Sequence, residues 1–148
     1  LFIGDFDGDF HALDLRVRRS DPEGNRILPG KEWIYKSDSW FWAPALVDGG
    51  SVYASNLAGE IFKLDVESGN SEWFNPDPID GQIVAAPILI DIPEGRALAV
   101  PSGHKDVWVI DTLTGQGFQQ FPTKAGVKST PLLVDELIFV YTLDDELI

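Results

Sequence analysis

Hydrophobic and polar residues alternate along this chain in short runs, each broken by glycine, asparagine, aspartate or serine. Val52, Ala54 and Asn56 alternate with Tyr53, Ser55 and Leu57, a turn follows at Ala58-Gly59, and a second run extends from Glu60 to Asp65. Alternation of this kind, rich in β-branched and aromatic residues, predicts antiparallel strands. In this part of the chain the predicted strands are 51–57, 60–65, 71–75 and 85–91, with the proline-containing stretch after 75 as a loop. No segment sustains an apolar period of 3.6, so no helix is predicted.

The pattern repeats. FIGDFDGDFHALD near the start aligns with YASNLAGEIFKLD from Tyr53 and AVPSGHKDVWVID from Ala99, and FVYTLDDELI from Phe139 opens the phrase again. Its closing aspartates, Asp14, Asp65 and Asp111, are 51 and 46 residues apart. A second phrase, APALVD, APILID and TPLLVD, has prolines at Pro44, Pro87 and Pro131, steps of 43 and 44 residues. Four short strands per repeat of this length make a propeller blade. The expected fold is an all-β β-propeller of four-stranded antiparallel blades. About three blades form one partial-propeller domain over 1–148, with repeats near 1–50, 51–96 and 97–136 and an incomplete one at 137–148. Both ends interrupt a blade, so ring closure is expected to draw missing blades from a longer chain or from self-association.

The second repeat contains KLDVESGNSEW, in which Asp65, Ser68, Gly69 and Trp73 keep the spacing of an A-x-D-x-x-[TS]-G-x-x-x-W motif. The first repeat has Asp14 and, after an insertion, Trp33. The third has Asp111, Thr114 and Gly115, with Gln119 at the tryptophan position. These copies, interleaved with the Ala/Thr-Pro phrase, resemble the PQQ-binding-like (quinoprotein-type) propeller repeat family, which includes the BAM-complex propeller lipoprotein. Lys63 departs from the motif's alanine. The resemblance implies that Trp33 and Trp73 dock one blade on the next. It does not imply a bound quinone, since many members of the family bind none. Each motif glycine follows a hydroxyl residue in a tight turn, where positive φ costs glycine least.

Charge and composition narrow the function. Lys and Arg number 11 against 24 Asp and Glu, a net charge of −13, which disfavours a phosphate-backbone partner. No apolar run reaches membrane-spanning length. No cysteine is present, which excludes disulfides and thiolate sites. No signal peptide is visible, although Leu1 already lies inside a repeat.

Several residues invite a chemical reading. Asp5, Asp7 and Asp9 alternate as calcium ligands do, but Phe10 and Arg16 stand where an EF-hand-like loop needs glycine and glutamate, and the run aligns with hairpin turns at 56–60 and 142–146. His11 and His104 occupy different repeat positions, and no ligand spacing joins them to a carboxylate cluster, so neither defines a metal site. No catalytic constellation is expected. The insertion from Arg16 to Lys31, with Arg18, Arg19 and Arg26, reads as a solvated loop or a partner contact. Trp40 and Trp42 precede the first Ala-Pro phrase and are either packing residues or a recognition surface near a channel mouth.

These observations predict a non-enzymatic scaffold or binding module with a protein partner and no cofactor. Resemblance alone places it outside the cytoplasm and extends to outer-membrane protein assembly. The alternatives are a fragment of a dehydrogenase using PQQ with calcium, and a carbohydrate- or ligand-sensing domain.

Overall fold

Turn length decides which strands pair. The computed structural model describes residues 1–24, 27–74 and 76–148; Asn25, Arg26, Asn75 and the side chains of Arg18, Ile27 and Leu28 lie outside the described residues. Twelve strands are present among them: β1 (Phe2–Gly4), β2 (Asp9–Ser20), β3 (Ile27–Lys36), β4 (Leu46–Asp48), β5 (Ser51–Ser55), β6 (Ile61–Asp65), β7 (Ile88–Ile92), β8 (Gly95–Ser102), β9 (Asp106–Asp111), β10 (Gly117–Pro122), β11 (Leu132–Val134) and β12 (Leu137–Phe139). They form four antiparallel sheets in chain order, β1-β2-β3, β4-β5-β6, β7-β8-β9-β10 and β11-β12. No helix occurs among the described residues.

The strand ending each Ala/Thr-Pro phrase (β4, β7, β11) turns back through two residues to its neighbour, pairing Asp48 with Ser51, Ile92 with Gly95 and Val134 with Leu137. So short a connection enforces a hairpin. The sheets are therefore phased one strand earlier than the sequence repeats: the strand expected at 85–91 opens the third sheet instead of closing the second. The strand expected at 71–75 is reduced to a bridge between Leu64 and Ser71. Pro76 and Pro78, which lack a donor N–H, follow shortly after. Only the third sheet shows all four strands.

The expected loop at Arg16–Lys31 is instead the far part of the β2–β3 ribbon, with Arg18 opposite Pro29 and Ser20 opposite Ile27. The register shifts after Ala12 and after Asp14, irregularities of the kind that bulges make in a ladder.

Each core lies between two consecutive sheets. Phe10, Phe41, Val52, Ala54 and Leu64 fill the first seam, joined by Phe2, Trp33, Tyr35 and Phe62. Tyr53, Ile61, Trp73, Ile83, Leu98, Val100 and Ile110 belong to the second, and Ala99, Val107, Val127 and Val140 to the third. Alternate residues of one strand serve opposite seams: Val52 and Ala54 face backward, Tyr53 forward. That explains why β8 is buried without a break from Ala97 to Ser102. Both of its faces are covered.

Candidate functional site

The seams close by a repeated backbone stitch. After its sheet, the chain runs along the next blade in an extended segment whose middle residue is buried: Phe41, Ile83 or Val127. The amide of that residue donates to a carbonyl of its own blade, Phe41 to Asp5, Ile83 to Asn56 and Val127 to Ser102. The preceding carbonyl accepts from the following blade: Trp40 from Leu57, Gln82 from Gly103, Gly126 from Leu143.

The residues Asp5, Asn56, Ser102 and Thr142 cap the corresponding hairpin turns. Asp5 Oδ1 accepts from the amides of Asp7 and Asp9, both at 2.9 Å. Asn56 Oδ1 accepts from Ala58 at 3.0 Å and Glu60 at 3.1 Å. Ser102 Oγ accepts from His104 at 3.0 Å, and Thr142 Oγ1 from Glu146 at 3.3 Å. One structural task is thus met by four residue types.

The tryptophan geometry spans the seams too. The Trp33 indole N–H donates to the Val66 carbonyl at 3.0 Å, and that of Trp73 to Thr112 at 3.1 Å. A Cβ on Gly69 would lie 2.5 Å from the Trp33 ring, and one on Gly115 would lie 2.6 Å from Trp73. Both glycines have positive φ, 72° and 77°. Asp65 Oδ1 accepts from the amide and hydroxyl of Ser68 at 2.7 and 2.6 Å. Asp111 Oδ1 does the same for Thr114 at 2.8 and 3.1 Å. The Ser68 hydroxyl is the main cause of a lowered Asp65 pKa, and the Thr114 amide of a lowered Asp111 pKa. Asp14 takes a different partner. Its carboxylate accepts from the Arg16 guanidinium, the main cause, and from the Arg16 amide, which together bring its pKa down to about 2. Gln119 is exposed on β10.

A surface aromatic cluster stands beside the first stitch. Phe6, Trp40 and Trp42 are 56%, 52% and 56% exposed. The Phe6 ring centroid is 5.4 Å from that of each tryptophan, nearly stacked on Trp42 and tilted to Trp40. Because Phe41 is anchored inward, its neighbours on either side project outward. Phe6 went unnoticed in the sequence. Its signal was a large apolar residue at a hairpin tip, between two aspartates.

His11 Nε2 lies 2.8 Å from Asp5 Oδ2, and Asp5, Asp9 and His11 bring one ligand atom each within 4.8 Å of one another. Sequence spacing connects neither histidine to a carboxylate. The β1–β2 hairpin makes the link by setting Ile3 opposite His11, with Asp5 just beyond. The His11 contact is the main cause of a lowered Asp5 pKa. The trio offers two carboxylates and one imidazole, whereas calcium takes six to eight oxygens. Asp5 already accepts the turn's amides, and Asp9 holds Lys36 Nζ at 2.7 Å. His104 sits apart, 3.3 Å from Asp80.

Successive antiparallel sheets, joined by inter-sheet stitches and buried seams, define the class of this chain: it is a partial β-propeller. Its structure is similar to that of BamB from Moraxella catarrhalis, with a TM-score of 0.74 and 25% identity over 99% of this chain. It spans 41% of that BamB chain. The computationally designed Ika4 protein is similar at a TM-score of 0.70 and 15% identity, covering 99% of this chain and 81% of Ika4. BBS1N, solved in complex with ARL6DN, matches at 0.67 and 10%, covering 99% and 44%. These last two likenesses are of fold alone. No protein-family model matches the sequence, and no curated protein matches it in sequence.

Proposed function

We propose that this chain is part of a non-enzymatic propeller scaffold that holds a protein partner outside the cytoplasm, in outer-membrane protein assembly. The likeness to BamB, at 25% identity across nearly the whole chain, carries the reading. The stitched seams support it physically. They make a stiff frame on which hairpin tips and inter-blade segments are held in fixed positions, and a fixed surface binds with little loss of conformational entropy. No helix among the described residues is long and apolar enough to cross a membrane.

Within this reading Trp33 and Trp73 dock blades and take no part in ligand binding. We propose further that neither PQQ nor calcium binds. Cross-linking in cells followed by affinity purification tests the scaffold: recovery of outer-membrane assembly components supports it, and their absence from the cross-linked fraction overturns it. Calorimetry with PQQ and calcium together is the second arm. Saturable stoichiometric heat at micromolar concentrations would favour the dehydrogenase instead.

A further inference from the structure

The three stitches are alike in backbone and unlike in surface. Where the first presents Phe6, Trp40 and Trp42, the second presents Leu57, Gln82 and Val84, and the third Gly103, Gly126 and Lys128. The joint therefore closes without aromatic rings. Three large rings left half exposed, with Phe6 against both tryptophans, are surplus to folding, and exposed apolar clusters of this kind mark contact sites.

The surroundings specify what the rings receive. Phe6 lies between Asp5 and Asp7, and Asp38 is two residues before Trp40. Asp7 and Asp38 share a cleft of about 370 Å³ with Asp9, Glu60 and Lys36. Lys36 is bound to Asp9 at 2.7 Å, and Glu60 accepts from Asn56 Nδ2 at 2.5 Å. Asp7 and Asp38 are exposed and form no ion pair among the described residues. Lys36, the one cation in their cleft among the described residues, is held by Asp9 and shared electrostatically with Asp7, so the cleft keeps an excess of negative charge. Ring faces this near in the chain to such carboxylates, Phe6 next to Asp7 and Trp40 two residues after Asp38, complement a cation. Guanidinium suits both surfaces, since its plane stacks on indole while its edge donates to carboxylate.

We propose that the Phe6–Trp40–Trp42 cluster, with Asp7 and Asp38, is a docking site for an arginine-bearing segment of a protein partner. The proposal rests on the scaffold reading and adds the chemistry of the partner. The rings are preorganised by the buried Phe41 and by the Leu57–Trp40 hydrogen bond, so ordering them costs little on binding.

The test is fluorescence anisotropy with a labelled, uncharged-backbone peptide carrying two arginines, against its lysine and citrulline counterparts. The arginine peptide is expected to bind, the lysine form more weakly, and the citrulline form weaker by about tenfold or more. Trp40→Ala/Trp42→Ala should weaken the arginine peptide by about tenfold, and Phe6→Ala alone should weaken it several-fold should the double variant misfold. Asp7→Asn/Asp38→Asn should weaken binding and flatten its salt dependence. Asp135→Asn/Glu136→Gln, an equal charge change in the β11–β12 turn, should leave it unaltered.

Equal loss in that distant pair would reduce the effect to bulk charge and overturn the site. Unchanged binding in the aromatic variants, or equal binding of the citrulline peptide, would overturn it too, as would preferential binding of a neutral oligosaccharide. Failure here with successful recovery of assembly components removes the arginine site alone. Arginine binding without that recovery keeps the site and removes the assembly role.

Discussion

The amide of Leu57 donates to the carbonyl of Trp40 at 3.0 Å, tying the second sheet to the segment that leaves the first. Gly103 to Gln82 at 2.9 Å and Leu143 to Gly126 at 3.0 Å repeat the bond. The link uses main-chain atoms only, so side chains on either side of it are free to differ. That freedom lets one joint carry tryptophans and another a lysine.

Trp73, 5% exposed in the second seam, is expected to matter most to stability among the tryptophans. Trp73→Ala should cost about 3–5 kcal/mol through lost burial and the cavity left behind. Trp73→Phe keeps most of the packing and gives up the bond to Thr112, a loss of about 1 kcal/mol. Equilibrium denaturation distinguishes the two, and an unshifted midpoint for the alanine variant would rule out docking.

Glycine substitutions separate two costs. Gly49 has a φ of 57° with nothing near a Cβ, so Gly49→Ala should cost about 1 kcal/mol for conformation alone. Gly69→Ala and Gly115→Ala add a collision with a tryptophan ring and should cost clearly more. Thermal midpoints of the three variants check the order; equal shifts would mean the rings move aside freely.

Asn56 is fully buried and satisfies two turn amides. Asn56→Ala strands both and should destabilise by about 1–3 kcal/mol. Asn56→Ser, the residue type at the matching position 102, should recover part of the loss. Denaturant midpoints of both variants would show it, and no recovery would mean that the turn needs the longer side chain.

Acid sensitivity follows from the motif aspartates. Asp65 and Asp111 titrate below their ordinary 3.8 in the folded chain, because turn donors hold the ionised form. A depressed folded pKa contributes stability that is complete above the unfolded value and lost as pH falls through the folded one. Stability should therefore decline below pH 3.8, with the Asp14 contribution persisting to about 2. Asp65→Asn/Asp111→Asn should flatten that decline. Denaturation across this range provides the measurement, and an unaltered slope would place the titration elsewhere.

Much of the fold was legible because the second and third repeats carry their own turn chemistry: Asp65 with Ser68 and Gly69, Asp111 with Thr114 and Gly115. The phase of the sheets was not. A tandem repeat has the same period wherever it is divided, and only the two-residue turns beside Asp48, Ile92 and Val134 settle where a sheet begins. The Arg16–Lys31 ribbon was obscured by its charge, since arginines on a two-stranded extension need no buried face. At the site, Trp40 and Trp42 stood out by density, whereas Phe6 and the Asp5–His11 contact depend on chain segments meeting across a hairpin.

The seams differ in what fills them. The first is lined by rings, Phe10, Phe41, Phe62 and Trp33; the second mixes Tyr53 and Trp73 with aliphatics; the third, among the described residues, holds alanine, valine and isoleucine. Aromatic side chains bury more surface than these smaller ones, and each sheet in such an array rests on its neighbours alone. The array thus has a grain, like split timber: heat or pulling should part it at the third seam first, leaving the aromatic end, with its exposed tryptophans, as the last piece to lose its shape.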